Sequence, residues 1–156
     1  MIVSNTTPFI ALCAADCLDI FPQVLGHIHV AESVVVECRA GGPIVVPDLA
    51  ALAWVTVHYM PVETHPRLWM LDVGERDTIE LAMKLSAKRV VIDERIGRNI
   101  AEYQGLAVTG TLGVLLKARK LCLIKSFTEI VDKMRACGVR YNPDLVARLA
   151  RSVGEG

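Results

Sequence analysis

The sequence predicts an α/β fold with a mainly parallel central sheet, and three observations lead to that prediction. Apolar runs of three to five residues alternate with segments of helical periodicity, and the connections between them are short. Parallel strands need helical crossovers of this kind, which cover both faces of a sheet. The 156 residues contain no internal repeat and no Ser/Gly linker. We therefore expect one domain over residues 1–156.

The N-terminal half begins with a strand, Ile2-Val3-Ser4, that leads directly into a helix. Thr7 is expected to cap this helix and Pro8 to take its first position. A strand is also expected over 54–59, at an edge of the sheet, because this segment is rich in β-branched and aromatic residues. Between them the sequence predicts helices over 9–15 and 18–25, a short strand over 27–30 and a helix over 32–39.

The helix and strand signals are sharper from residue 72 onward. Asp72 and Glu75 match an N-terminal capping box, and apolar residues then recur at helical spacing over about 14 residues. Arg89-Val90-Val91-Ile92 is expected to form a strand buried on both faces, because its apolar run is nearly continuous. The remaining predicted elements are a helix over 94–104, a strand over 106–108 and helices over 111–120, 126–137 and 143–152.

The composition excludes several classes of protein. Hydrophobic residues make up 53% of the chain and charged residues 22%, which favours a packed core over disorder. The sequence has no apolar run of about 18 residues, so we expect no membrane span. It also lacks a basic segment before its first apolar stretch, which argues against a secretory signal. The five cysteines are an odd number without a C-x-x-C pair, as expected of reduced thiols in a cytoplasmic protein.

Charge is distributed unevenly along a chain whose formal net charge is zero. Residues 1–83 carry three basic and ten acidic residues, whereas residues 84–140 carry twelve basic and five acidic residues. One interpretation is an acidic cluster that binds divalent cations beside a basic surface that binds phosphates. The alternative is that both halves present ordinary solvated helix faces.

Four polar residues are candidates for a shared site, because ligands gather beyond the carboxyl ends of parallel strands. Asn5 and Asp93 each follow a predicted strand, while Glu37 and Glu75 lie on predicted helices. Carboxylates that converge repel one another and need a cation, and a site of oxygen ligands suits Mg²⁺ or Mn²⁺. Such an ion activates water and stabilises the leaving oxygen of a phosphodiester, as in metal-assisted nucleases.

Each candidate also has an ordinary structural explanation. Asp93 fits as a cap of the helix that follows it, and Asn5 fits as the first residue of an Asx-turn. Glu75 completes a capping box with Asp72, and Glu37 fits as a surface residue. Spacing alone therefore does not establish a site.

Three further residues are candidates for binding a substrate phosphate. Arg95 and Arg98 are three residues apart on one predicted helix, so they share a face. The alternative is a solvated pair that balances Glu94 and Glu102. The segment Gly110-Thr111-Leu112-Gly113 places the amide of Thr111 at a helix N-terminus, where it either binds a phosphate oxygen or simply forms a tight turn.

Several of these segments together resemble the PIN domain family, in its branch of the DUF3368 type. The resemblance extends over about residues 2–150, and its first and last segments are the most specific. The segments that carry it are Ile2-Val3-Ser4-Asn5-Thr6-Thr7-Pro8-Phe9-Ile10-Ala11-Leu12, Val34-Val35-Val36-Glu37, Gly74-Glu75, Ile92-Asp93-Glu94-Arg95 with Arg98, and Val108-Thr109-Gly110-Thr111-Leu112-Gly113-Val114-Leu115.

The resemblance implies a three-layer α/β/α fold and a Mg²⁺- or Mn²⁺-dependent endoribonuclease that acts on single-stranded RNA. Many relatives are toxins of toxin–antitoxin pairs, so it also implies an antitoxin protein as partner and a homodimer. We expect the apolar helices near the N-terminus to bury the dimer face, with Phe9, Leu12 and Leu18. The catalytic and metal-binding positions of the family correspond to Asn5, Glu37, Glu75 and Asp93.

The sequence departs from the wider family at Asn5, where an Asp is usual. An amide oxygen binds a metal ion without contributing negative charge, and it cannot act as a base. Glu94 is close enough in sequence to supply the missing charge, and the role of Asp77 is also open. Three functions therefore remain: an endoribonuclease, a catalytically impaired scaffold that binds RNA or a protein partner, and a nucleotide-binding module that uses the Gly110 loop without hydrolysis.

Overall fold

The computed structural model describes residues 1–61, 68 and 70–156, and this part of the chain contains five strands and eight α-helices. None of the helices in this described part is long and apolar enough to cross a membrane. A short 3₁₀ helix, Leu49–Ala51, precedes the third strand. The elements are β1 (Ile2–Ser4), α1 (Thr6–Ala14), α2 (Ile20–Leu25), β2 (Ile28–Ala31), α3 (Glu32–Arg39), β3 (Val55–His58), α4 (Val73–Lys84), β4 (Arg89–Val91), α5 (Arg95–Tyr103), β5 (Val108–Thr109), α6 (Thr111–Lys120), α7 (Phe127–Ala136) and α8 (Pro143–Ser152).

All five strands form one parallel sheet in the order β3-β2-β1-β4-β5. The register pairs Val3 of the central strand with His29 on one side and Val90 on the other. The predicted α/β fold with a parallel sheet is therefore confirmed. The predicted edge position of the segment over 54–59 is also confirmed, because β3 forms one border of the sheet.

Helices cover both faces of this sheet and produce three layers. Val90 and Ile92 point into a core with α4 and α5, whereas Val91, between them, points into a second core with α1, α2, α6 and α7. All three residues are completely buried. Alternate side chains of a strand point to opposite faces, so a strand covered on both sides must be apolar throughout.

The N-terminal helices pack into the interior of the chain. Phe9 and Leu12 are completely buried, and Leu18 is half-buried against the same core. The ring centroid of Phe9 lies 5.0 Å from that of Phe21 and 6.2 Å from that of Trp54. The prediction that these helices form a dimer face with Phe9 and Leu12 is therefore wrong, because their side chains are already buried within the chain.

The first helix begins earlier than the sequence predicted. It starts at Thr6 with Asn5 in the N-cap position, so Thr7 is not the cap and Pro8 is the third helical residue. The backbone N–H of Asn5 donates to the oxygen of Val91 at 3.0 Å, which prolongs the pairing of β1 with β4 up to the helix. Pro8 is tolerated because the first N–H groups of a helix have no partner within the helix.

The last strand is shorter than predicted and lies further along the chain. Leu106, expected in the strand, instead donates its N–H to the oxygen of Ala101 and closes the end of α5. Gly105 between them has a φ of 84°, a conformation that glycine adopts without strain. The strand can therefore start only after this helix end, and it consists of Val108 and Thr109.

The cysteines are free thiols in this fold. Burial raises the pKa of Cys17 to about 11 and that of Cys38 to about 12, and nearby acidic side chains add to the shift. These two thiols therefore stay protonated at neutral pH and pack as small apolar groups.

Candidate functional site

Asn5 lies at the carboxyl end of the central strand, at the junction between β1 and α1. The residue is 3% exposed. Its side-chain oxygen Oδ1 is buried and has no hydrogen-bond partner among the described residues. Leaving a buried polar atom without a partner costs free energy, so such atoms usually have a reason to be there. This oxygen is free to accept a cation or the hydrogen of a bound molecule.

Glu37 of α3 meets the same junction from the neighbouring helix. The hydroxyl Oγ1 of Thr6 donates to Oε2 of Glu37 at 2.5 Å. Because Thr6 directly follows Asn5, this bond holds the Glu37 carboxylate beside the end of β1. The carboxylate also lies directly against Gly74 of α4, at a point where the Cβ of any other residue would clash with Oε1. Glycine at this position therefore permits the close approach of α3 and α4.

Glu75 stands in the first turn of α4 and is 8% exposed. Its backbone N–H donates to Oδ1 of Asp72 at 2.8 Å, so Asp72 caps the helix as the sequence predicted. Its Oε2 lies against Gly97 of α5, 3.2 Å from where a Cβ would stand. Burial is the largest cause that raises the pKa of this carboxyl to about 7. Hydrogen bonding and charge from Asp72, and the charges of Glu94 and Glu37, act in the same direction.

Two further carboxylates, those of Asp77 and Glu94, line surface cavities together with Glu37 and Glu75. Asp77 lines a cavity of about 430 Å³ between α3 and α4 together with Glu32 and Glu37. Glu94 lines a cavity of about 450 Å³ at the start of α5 together with Glu75. Negative charge is thus concentrated around the ends of α3 and α4, where it attracts cations.

Asp93 lies two residues beyond β4, and protein donors bind both of its carboxylate oxygens. The backbone N–H of Thr111 donates to Oδ1 at 2.7 Å, and the Thr111 hydroxyl donates to Oδ2 at 2.7 Å. The hydroxyl of Tyr141 donates to the same Oδ2 at 2.8 Å. Asp93 therefore caps α6 rather than α5, the helix that directly follows it. Each carboxylate oxygen has two acceptor positions, so Oδ1 retains one for a further ligand.

Tyr141 is the member of this cluster that sequence reasoning missed. It lies between α7 and α8, 48 residues away from Asp93. Burial, together with the nearby charge of Asp93, raises the pKa of its hydroxyl well above the usual value, so the hydroxyl remains a donor. Only its place directly before the helix start at Asn142 marks this tyrosine in the sequence, and that signal says nothing about Asp93.

The predicted phosphate-binding residues lie beside Asp93. Arg98 donates from Nη1 to a backbone oxygen at the end of β4 at 3.2 Å. A Cβ at Gly110 would stand 2.6 Å from the same nitrogen. Arg98 and the exposed Arg95 line, with Asp93, a cavity of about 440 Å³. Thr111 differs from the two arginines, because its N–H and its hydroxyl both face the carboxylate of Asp93.

The predicted site combined four residues. Three of them, Asn5, Glu37 and Glu75, are connected by contacts of residues adjacent to them in sequence. Thr6 joins the end of β1 to Glu37, and Glu37 touches Gly74, which precedes Glu75. Asp93 follows the adjacent strand, but its hydrogen bonds connect it to α6 and to Tyr141. A single ion shared by all four residues stays a prediction.

The donor atoms of Asn5, Glu37 and Glu75 fit a hard divalent cation. They combine one unpartnered amide oxygen with two carboxylates that repel each other, and Mg²⁺ and Mn²⁺ prefer such oxygen ligands. Within the described ranges, no group of three or more His, Cys, Asp or Glu side chains is arranged to hold a metal ion. Two carboxylates and an amide are a smaller set, of the kind that water and substrate phosphate complete around Mg²⁺.

Comparison with known families agrees with the architecture of the sheet and its helices. The DUF3368 family model, described as a PIN domain, matches residues 1–155. No curated protein and no solved structure matches the chain. The match extends over nearly the full sequence and includes every residue of the candidate site. The chain therefore belongs to the PIN domain family.

Proposed function

We propose that the protein is a metal-dependent endoribonuclease that cleaves phosphodiester bonds of single-stranded RNA. PIN domains have a nuclease-type scaffold and generally depend on divalent metal ions. The observation that carries the proposal is the buried, unpartnered oxygen of Asn5, which precedes the Thr6 hydroxyl that binds the Glu37 carboxylate. The charge of Glu37 in turn acts on the buried carboxyl of Glu75. An unpartnered amide oxygen and two carboxylates whose charges repel each other support Mg²⁺ or Mn²⁺ as cofactor.

The proposed reaction is hydrolysis, in which a water molecule loses a proton and its oxygen bonds to phosphorus, while the bond to the leaving oxygen breaks and that oxygen takes up a proton in exchange. A divalent ion, when bound, supplies positive charge that lowers the pKa of water and neutralises the phosphate. Thr111 and Tyr141 hold the carboxylate of Asp93 in one orientation, as partners of ligands do in metal sites. The residues proposed to hold the ion are Asn5, Glu37, Glu75 and Asp93.

Arg95 and Arg98 are proposed to bind the substrate phosphate. Both line the cavity next to Asp93, and guanidinium groups pair with phosphate oxygens through several N–H donors. The hydrogen bond from Arg98 to the backbone restricts its guanidinium to one position. Thr111 was also predicted to bind phosphate, but the engagement of both its donors by Asp93 supports a positioning role instead.

A cleavage assay on single-stranded RNA with and without Mn²⁺ tests the proposal. We expect cleavage by the natural chain to require Mn²⁺ and to be lost in Asp93→Ala. Glu102→Gln is the matched control, because Glu102 is an exposed carboxylate on α5 outside the site. It should cleave like the natural chain. Cleavage in excess EDTA, or an Asp93→Ala variant of full activity, would contradict the proposal.

A catalytically impaired scaffold that binds RNA or a protein partner is the second candidate. Two observations favour it: Asn5 contributes no charge, and protein donors already bind both oxygens of Asp93. Asn5→Asp separates the two functions. If the pocket holds a metal ion, the added charge should tighten Mn²⁺ binding about tenfold and raise cleavage, because affinity follows the number of charged ligands. Unchanged Mn²⁺ binding and no cleavage would favour the scaffold.

The remaining functional predictions rest on the sequence and on the family resemblance. A nucleotide-binding module that uses the amide of Thr111 has little support, since that amide donates to Asp93. A toxin role, an antitoxin partner, a homodimer and a cytoplasmic location remain proposals. Light scattering at high protein concentration tests the homodimer, and a monomer would contradict it.

A further inference from the structure

A cavity of about 440 Å³ lies next to Asp93, where α5, the edge strand β5, α6 and α8 meet. Its volume falls within the range of small-molecule sites in proteins, which is roughly 300–1,000 Å³. Of the four proposed metal ligands, Asp93 lines this cavity. The cavity is therefore placed to hold a part of a substrate whose reacting phosphate lies at the metal site.

One part of the cavity wall is apolar. Leu116 of α6, Leu145 and Leu149 of α8 and the ring of Tyr141 line it. All four side chains are only half-buried, so packing within the chain does not use up their apolar surface. The hydroxyl of Tyr141 is held on Asp93, which restricts the ring to one position. Concave apolar surface with a positioned aromatic ring is typical of a ligand site.

Another part of the wall, from α5, is polar and positively charged. Arg95, Arg98 and Asn99 line it. The guanidinium of Arg98 is held by its bond to a backbone oxygen and by close contact with Gly110. The exposed amide of Asn99 offers both a donor and an acceptor.

We infer that this cavity binds the base of the nucleotide next to the cleaved phosphodiester and thereby selects the RNA sequence that is cut. The inference rests on the proposed function, because that function makes RNA the ligand. A nucleotide combines a flat ring with polar edges and a phosphate, and the cavity combines an aromatic ring, an amide and two guanidinium groups. A protein partner would also cover the leucines, but two cations beside Asp93 favour a ligand that carries phosphate.

Calorimetry with mononucleotides tests the inference without any cleavage. The probes are the four nucleoside 5′-monophosphates and, as the form without a base, ribose 5-phosphate, all in excess EDTA. We expect at least one nucleotide to bind about tenfold more tightly than ribose 5-phosphate, because stacking of a base on an aromatic ring contributes that much. Equal binding of all five probes, or no binding, would overturn the inference, and the second outcome would favour a protein ligand for the leucines.

Neighbouring residues of α8 provide a matched pair of variants. Leu145 lines the cavity, whereas Val146 lines a different cavity, against α7, and both are half-buried. We expect Leu145→Ala to weaken binding of the preferred nucleotide about fivefold and to leave ribose 5-phosphate unchanged. Val146→Ala should change neither. A nucleotide affinity that Leu145→Ala leaves unchanged would overturn the inference.

Asn99→Ala provides a second variant that does not depend on the packing of α8, because Asn99 is exposed. We expect it to reduce the preference among the four bases while circular dichroism shows an unchanged fold. An unaltered order of the four affinities would count against a base in this cavity.

Failure of this inference and failure of the proposed nuclease give different results. Base-dependent binding in EDTA without Mn²⁺-dependent cleavage would support the base site and contradict the nuclease. Mn²⁺-dependent cleavage with a KM that Leu145→Ala leaves unchanged would support the nuclease and overturn the base site.

Discussion

Two glutamates near helix N-termini, Glu75 at α4 and Glu155 at α7, show opposite ways of holding a carboxylate. Glu155 accepts hydrogen bonds from the backbone N–H groups of Phe127 and Thr128 and from the hydroxyl of Ser126, at 2.7–3.1 Å. Burial raises the pKa of Glu155, but these hydrogen bonds outweigh it and lower the pKa to about 2. Burial, reinforced by the neighbouring carboxylates of Asp72, Glu94 and Glu37, raises the pKa of Glu75 to about 7.

The difference separates a structural carboxylate from one that is suited to a ligand. Glu155 has donors in place, including Arg119 at 3.2 Å, so its negative charge is already stabilised within the chain. Glu75 has neighbours that disfavour its charge, so a bound cation would stabilise it. Asp93 is intermediate, because it lies beside the site and yet has three donors of its own. Carboxylates near helix N-termini therefore differ in chemistry when the surrounding donors differ.

The largest expected effect is the loss of cleavage in Glu75→Gln. The substitution keeps the shape of the side chain and removes its charge, so Mn²⁺-dependent RNA cleavage should fall by about a hundredfold or more, since even the outer partners of metal ligands account for about 10- to 100-fold. Glu155→Gln is the matched control for this assay and should cleave normally at a temperature where it is folded. Equal losses of cleavage in the two variants would contradict the distinction between the two glutamates.

The next largest effect is on stability, and here Glu155, the control in the cleavage assay, is the residue expected to matter. Glu155→Gln should lower the free energy of unfolding at pH 7 by about 1–3 kcal/mol, because it weakens hydrogen bonds to a charged acceptor. Urea unfolding measures this value. The control is Glu129→Gln in the first turn of α7, the helix end to which Glu155 binds from beyond α8. The carboxylate of Glu129 is exposed, so a change of about 0.5 kcal/mol or less is expected.

The pH dependence of the Glu155 effect follows from the direction of its pKa shift. The pKa is lower in the folded chain, about 2, than its ordinary value of 4.5. Ionised Glu155 therefore stabilises the folded chain fully above about pH 4.5, and this contribution is lost as the pH falls towards 2. The difference between the natural chain and Glu155→Gln should shrink over that window. A difference that is constant from pH 7 to pH 2.5 would contradict the proposed role of these hydrogen bonds.

The smallest expected effect is that of Tyr141→Phe, which tests Asp93, the carboxylate intermediate between Glu75 and Glu155. The change removes one of three donors to Asp93 and leaves the ring, so it should cost about 0.5–1.5 kcal/mol of stability. We also expect cleavage to fall about threefold through the less restricted carboxylate, with the KM for RNA unchanged. Cleavage as low as in Asp93→Ala would contradict this minor role of the tyrosine hydroxyl.

Much of the fold could be predicted because local signals dominate in several elements. The helix over 143–152 was predicted with its observed bounds, and Asn142 caps it by accepting from two backbone N–H groups in the first turn. The start of α1 was missed because the hydrogen bond from Asn5 to Val91 joins distant parts of the chain. Local patterns cannot report a bond of that kind.

The candidate site likewise contains residues that the sequence could predict and contacts that it could not. Asn5 and Asp93 could be found because parallel strands bring their carboxyl ends to one edge, and this rule depends only on the order of strands and helices. The bond of Asp93 to Tyr141 could not be found, because it depends on how α7 and α8 return to the end of β4. The same return creates the cavity beside Asp93, since α8 supplies part of its wall.

The sequence by itself determined the class of fold, the two faces of each buried strand and the residue types at the strand ends, because these follow from hydrophobic periodicity and local capping. Only the tertiary structure decided which carboxylate has donors and which does not. That distinction depends on atoms from distant segments, such as Thr111 and Tyr141 around Asp93 or Thr128 around Glu155. The charge of a side chain is written in the sequence, but its solvation and its partners arise only when the chain folds.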